Sequence, residues 1–201
     1  MPVLEPTPSS QISFSPLLRR YTLEEFWALP EPTGRAHYDL IGGYLFMVPP
    51  PNPPHGDLDA RLNKSLMQFL LRRDIAGEVY HPREAIWIDA TYVEPDMMYA
   101  SEELHARLGK RRTSADIVFE YLSSSTANYD RTTKADTYLA LGVRELWLVD
   151  PETVSIEVRA ATLTDKSPAW EIRRYITGEQ AESRILSGWR VSVDELFAGL
   201  I

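Results

Sequence analysis

Asp116-Ile117-Val118-Phe119-Glu120-Tyr121-Leu122 sets one carboxylate in the middle of an apolar run. Ile, Val, Phe, Tyr and Leu in close succession belong to a strand covered on both faces, as in the interior of a sheet packed between helices. An ionised carboxylate left unpaired there is costly and would take up a proton instead. Glu120 therefore needs compensation, and the sequence offers two sources. One is a metal ion shared with Asp96, in Glu94-Pro95-Asp96-Met97-Met98; the other is the ammonium of Lys134. Two carboxylates and a lysine point to phosphodiester chemistry.

Downstream of this strand, Ser123-Ser124-Ser125-Thr126 reads as a loop and Asp130 to Leu141 as a helix, which Gly142 ends as the residue after the cap. Arg144 to Asp150 is the next strong strand. Strand, helix and strand in so few residues imply a right-handed parallel crossover, which lays that helix on one face of the sheet. Val154 to Val158 and Trp170 to Ile176 read as peripheral antiparallel strands, and Ser192 caps a terminal helix.

Upstream, Thr22 and Glu25 have the spacing of a capping box that opens a short helix closed by Pro30. His37 to Val48 alternates around Gly42-Gly43 as a hairpin. Leu58, Leu62, Leu66, Phe69 and Leu70 recur at helical spacing between His55 and Arg73. Glu78 to Pro82, Ala85 to Ile88 and Met97 to Ala100 read as short strands, with Asp89-Ala90-Thr91-Tyr92 as a turn, and Ser101 to Leu108 as a short helix.

The chain has 201 residues, of which 44% are hydrophobic, which suits one compact domain over residues 17–201 behind a loose, proline-rich arm at 1–16. With no cysteine, disulfides and thiolate metal sites are excluded and zinc is disfavoured. No apolar stretch approaches the ~18 residues of a spanning helix, so a cytoplasmic protein without membrane contact is expected. A net charge of -8 argues against strong sequence-independent nucleic-acid binding. A local basic cleft is compatible with it, and Arg19-Arg20, Arg72-Arg73 and Lys110-Arg111-Arg112 are the candidates to line one.

Hydrolysis of a phosphodiester calls for a hard divalent cation, Mg²⁺ or Mn²⁺, which Asp96 and Glu120 can hold while leaving positions for water and substrate. Lys134 can orient the attacking water or offset developing negative charge. The ordinary alternative pairs Lys134 with Asp130 at i, i+4 on an exposed helical face and makes Asp96 a turn cap. Tyr138 and Leu141 argue against it, since they share the face of Lys134 and belong against the sheet. Asp116 lies on the same side of its strand as Glu120, either as an extra ligand or as a cap at the strand entrance. His55 is a candidate to bind phosphate or position water, or simply a first-turn residue. The serines and Thr126 form no nucleophile elbow, and no glycine pattern of a P-loop or dinucleotide site occurs.

Tyr38-Asp39-Leu40-Ile41-Gly42-Gly43, Pro51-Asn52-Pro53-Pro54-His55, Pro95-Asp96, Asp116 to Thr126, Lys134 and Gly142-Val143-Arg144-Glu145-Leu146-Trp147-Leu148-Val149-Asp150-Pro151 together resemble the Uma-two family of restriction-endonuclease-like proteins, within the PD-(D/E)XK nuclease superfamily. The resemblance implies a restriction-endonuclease-like α/β (α+β) fold, a mixed central sheet flanked by helices. It also implies Asp96 as the Pro-Asp aspartate and Glu120 as the second acid. The usual lysine of the third position is Leu122 here, so its role would pass to Lys134 on the following helix. The chain departs from the family where Ile41-Gly42-Gly43-Tyr44 replaces Ile-Asp-Gly-Glu, where Ala115-Asp116 replaces a Pro-Asp pair, and where Ser124 replaces a proline. The expectation is a Mg²⁺-dependent endonuclease acting on DNA as a homodimer, with the basic loop at 110–112 reaching phosphate. A noncatalytic nuclease-fold module that binds nucleic acid or protein is the alternative, and metal-dependent hydrolysis of a small phosphorylated substrate is a third, weaker reading.

Overall fold

In the computed structural model, residues 19–34, 36–109, 111–164 and 167–200 are described. The arm expected at 1–16 and Lys110 of the basic loop lie outside them. In chain order the elements are α1 (Leu23–Trp27), β1 (His37–Ile41), β2 (Tyr44–Val48), α2 (His55–Arg73), β3 (Gly77–Tyr80), β4 (Ile86–Ile88), β5 (Thr91–Val93), β6 (Met97–Ser101), α3 (Glu102–Leu108) and β7 (Ile117–Tyr121). Then come α4 (Ala127–Tyr129), a π-helical turn (Asp130–Lys134) and α5 (Ala135–Ala140), which run on as one helical stretch. The chain continues through β8 (Glu145–Asp150), β9 (Ser155–Thr164), β10 (Ser167–Tyr175), β11 (Gln180–Glu182), β12 (Arg190–Ser192) and α6 (Val193–Phe197).

The run that demanded a covered strand receives one. Every residue of β7 and β8 is buried, and the two pair in parallel, with Glu120 opposite Leu148. They lie at the centre of a sheet of order β10-β9-β8-β7-β6-β3, whose other pairings are antiparallel. This is the mixed sheet of the restriction-endonuclease-like fold. Side-chain alternation then decides what each face carries. Ile117, Phe119 and Tyr121 meet the leucine stripe of α2 (Leu58, Leu62, Leu66 and Leu70), together with Trp147 and Trp189, whose rings stack at 4.7 Å. Val118 faces the opposite side, toward Ala135 and Tyr138 of α5, Ile86 of β4 and Val93 of β5. Glu120, two residues beyond Val118, points the same way, beneath the helical stretch that carries Lys134.

Three local expectations are corrected. Thr91 and Tyr92 are strand rather than turn: Asp89, with φ 49°, lets Asp89-Ala90 close a two-residue hairpin, and Tyr92 pairs with Trp87 and Leu40. A second sheet results, of order β2-β1-β5-β4. The expected strands at 154–158 and 170–176 are longer and join the central sheet, because β9 pairs with β8 over Ser155 to Ala160 before its hairpin with β10. The helix expected to begin at Asp130 begins at Ala127 and contains the π turn, a feature that often re-aims side chains at functional sites.

Candidate active site

β6 and β7 are antiparallel neighbours, so the start of one lies beside the end of the other. Asp96, immediately before β6, is tied there by Oδ2, which accepts the Tyr121 N–H at 2.8 Å. Its Oδ1 lies 3.3 Å from Nε2 of His55, the first residue of α2. The His55 ring stands edge-on to the ring of Tyr121, with centroids 5.0 Å apart.

Glu120, only 2% exposed, accepts through Oε1 from Lys134 Nζ at 2.9 Å and from Tyr138 Oη at 2.5 Å. Lys134 is equally buried and also donates to the Glu94 carbonyl at 3.1 Å. The exposed Asp130–Lys134 pair is therefore not what forms: both residues are buried, and the ammonium turns to the sheet. Nζ also lies 3.8 Å from Oδ2 of Asp39. Asp39 is fully buried and held by the Glu94 N–H at 3.0 Å and by Tyr129 Oη at 2.9 Å.

A cavity of about 50 Å³ brings together His37, His55, Asp96, Glu120, Asp130 and Lys134. The four residues expected from sequence (Asp96, Glu120, Lys134 and His55) thus share one cleft. Asp39 and Asp130 were missed as site residues. A second carboxylate within a strand, between Tyr38 and Leu40, was the available signal for Asp39; Asp130 had been read only as a helical partner. Asp116 sits at the opposite end of β7, accepting from the Ser101 N–H and from Arg144 at 2.7 and 2.8 Å, so it secures the strand entrance. Arg111 and Arg112 precede that same far end, and Arg112 pairs with Glu84 and lies over the Tyr80 ring. No described arginine lines the cavity.

The charges do not balance. Asp39, Asp96, Glu120 and Asp130 stand against the Lys134 ammonium and two imidazoles, His37 and His55, of which burial favours the neutral form at His37. Burial pushes the Glu120 carboxyl well up, against the opposing charge of Lys134. Burial likewise raises Asp130, to about 6, aided by the charges of Asp96 and Asp39. For Lys134, burial disfavours the charged form, but Glu120, Asp39, Asp130 and Asp96 outweigh it and hold the ammonium protonated. His55 and Asp96 behave as a pair: burial opposes both charges, yet their mutual contact raises the imidazole and lowers the carboxyl.

A family model, Uma2, described as "Putative restriction endonuclease", matches residues 23–194. Among solved structures, a crystal structure titled a "putative nuclease belonging to DUF820", from Anabaena variabilis, superimposes with a TM-score of 0.72 at 18% sequence identity. The match covers 90% of this chain and 99% of that one, a likeness of fold. No curated protein matches the sequence.

Proposed function

Since this chain belongs to the Uma2 family, we propose that it is an endonuclease, hydrolysing phosphodiester bonds in DNA with Mg²⁺ or Mn²⁺ held by Asp96 and Glu120. The observation that carries this reading is the surplus of buried carboxylates around Lys134. A hard divalent cation neutralises such a surplus; among the described residues no three acidic or histidine side chains are grouped closely enough to hold one, so Asp96 and Glu120 would supply two oxygen donors and water the rest of its shell. Among the described residues no hydrogen bond falls on Glu120 Oε2, so that atom is available as a ligand while Oε1 stays with Lys134. The cavity of about 50 Å³ has room for an ion and about two or three waters, at ~10–15 Å³ each. When bound, the cation would acidify a water and offset charge on the phosphate.

The remaining steps belong to the chain's own groups. Two of the three Lys134 N–H donors are engaged by Glu120 and Glu94, which leaves one for the attacking water or a phosphate oxygen. Tyr138 and Asp39 fix the lysine and its partner, so the ammonium needs no reorganisation as charge develops. His55 steadies Asp96 and, protonated, lends positive charge to the phosphate side of the cleft.

The competing reading, a noncatalytic binding module, draws on the satisfied Glu120–Lys134–Tyr138 network, which would stand as a buried polar core without any metal. Titrating Mg²⁺ and Mn²⁺ against generic DNA, with wild type beside Glu120→Gln, separates the two. Metal-dependent cleavage that Glu120→Gln abolishes supports the nuclease. Mn²⁺ bound in this pocket without cleavage of any DNA or RNA substrate gives the case to the binding module.

A further inference from the structure

Beside the carboxylate cleft lies a second cavity, of about 340 Å³, within the ~300–1,000 Å³ range of small-ligand pockets. His55, Tyr121 and Ser123 line both, so the two cavities share a wall. The chemistry changes across that wall. Pro53, Pro54, Pro151, Leu58 and Leu122 give the second cavity apolar surfaces, and no described lysine or arginine lines it. The one cationic group in its lining, the His55 imidazole of the shared wall, is already paired with Asp96, so a phosphate finds no unpaired counter-charge there, whereas a planar aromatic ring finds apolar walls. Ser124 and Glu152, both exposed loop residues, supply polar groups at the same cavity. Among the described residues the Glu152 carboxylate makes no ion pair, so it is free to accept a hydrogen bond.

We infer that this second cavity receives an unstacked nucleobase from the nucleotide adjoining the phosphate that enters the Asp96 and Glu120 cleft. The assignment rests on the proposed nuclease function for its context, but the pocket's selectivity is a property of its own residues. A carboxylate accepts from exocyclic amines, as acidic side chains do from cytosine N4. The pocket therefore prefers cytosine or adenine, whose amines project from the base edge, to thymine, whose one donor, N3–H, is flanked by two carbonyls that repel a carboxylate. One hydrogen bond to a charged acceptor corresponds to a preference of roughly 10-fold.

Uncharged nucleosides test this without any contribution from phosphate or metal. Deoxycytidine, deoxyadenosine and thymidine are titrated into wild type carrying isotope-labelled leucine methyl groups, and NMR shifts are followed. Leu58 and Leu122 methyls should move, with deoxycytidine or deoxyadenosine binding ~10-fold tighter than thymidine. Glu152→Ala should remove that preference while leaving thymidine affinity unchanged, and Ser124→Trp, which fills the mouth of the pocket, should abolish the shifts. Leu58 and Leu122 methyls that stay still in wild type overturn the inference, as do shifts that persist in Ser124→Trp. A preference unaltered by Glu152→Ala overturns the assigned amine contact. Base binding here without DNA cleavage would sink the nuclease reading alone, and cleavage without base binding would sink this inference alone.

Discussion

Lys134→Met removes the ammonium and keeps an unbranched apolar side chain in its place. In the wild type Nζ lies 2.9 Å from Glu120 and 3.8 Å from Asp39, and both carboxylates are buried. At an effective dielectric of about 20, unit charges at such separations attract by ~6 and ~4 kcal/mol. Much of this is offset by the cost of burying the ammonium, and breaking a buried pair by deleting one partner costs about 3–5 kcal/mol net. That is a large share of a total stability of roughly 5–15 kcal/mol. At about 2–4 °C per kcal/mol for a chain of this size, the melting temperature should drop by roughly 6–20 °C. The pH dependence follows from the signs. The Lys134 pKa is raised, so its contribution is fully present below its ordinary value of 10.5 and is lost only as pH rises through the raised value. Between about pH 5 and 8 the ammonium is therefore constant, and the carboxylates it faces set the slope. Glu120, already pushed up by burial, loses the charge that opposed the rise, so in the variant it is protonated more readily as pH falls. The deficit should be widest near pH 8 and narrow toward pH 5 in urea unfolding followed by tryptophan fluorescence. A variant as stable as wild type at about pH 8, or a deficit that widens toward about pH 5, would refute the claim that Lys134 compensates the buried charge of Glu120 and Asp39.

How much of this is legible in the amino-acid sequence depends on which residues announce a conflict. A carboxylate inside Ile117–Tyr121 conflicts with its own neighbours, so Glu120 demanded a partner, and the shared face of Lys134 and Tyr138 indicated where it would come from. The leucines of α2 gave their period directly. Asp39 raised no such alarm, because its strand alternates and an alternating strand is normally free to turn its polar residues to water. It is buried only because Tyr129 and Lys134, some ninety residues on, close over it. The π turn was illegible for another reason: five residues are too few for a change from i+4 to i+5 bonding to register as a period. Yet that turn brings Asp130 and Lys134 to the same cleft, where an ordinary i, i+4 reading had paired them on an exposed face.

The Lys134→Met variant should also slow cleavage by ~100-fold or more, the scale of losing one electrostatic stabiliser, while Mn²⁺ affinity stays near wild type, since an ammonium is no ligand; a matched loss of metal binding would contradict this. Asp96→Asn and Glu120→Gln should depress metal-dependent turnover far more than DNA binding, with fluorescence anisotropy in Ca²⁺ as the binding measure. Tyr138→Phe removes the hydroxyl that Glu120 Oε1 accepts from and should cost about 1.5–3 kcal/mol in urea unfolding, the worth of a hydrogen bond to a charged group. Asp130→Asn should do the opposite. Burial, with the charges of Asp96 and Asp39, raises Asp130 from 3.8 to about 6, so the folded chain holds this proton to a higher pH than the unfolded chain does. Stability is then lost as pH rises through that window, and the penalty is complete above it, at ~3 kcal/mol for a rise from 3.8 to about 6. Asp130→Asn escapes the penalty and should be the more stable protein near pH 7.5 by up to ~3 kcal/mol, with the advantage fading below about pH 4. A cation bound by Asp96 and Glu120 would offset the same surplus charge, so saturating Mg²⁺ should shrink the advantage; an Asn variant that gains nothing at neutral pH would mean that the cleft carries no uncompensated charge for a metal to relieve.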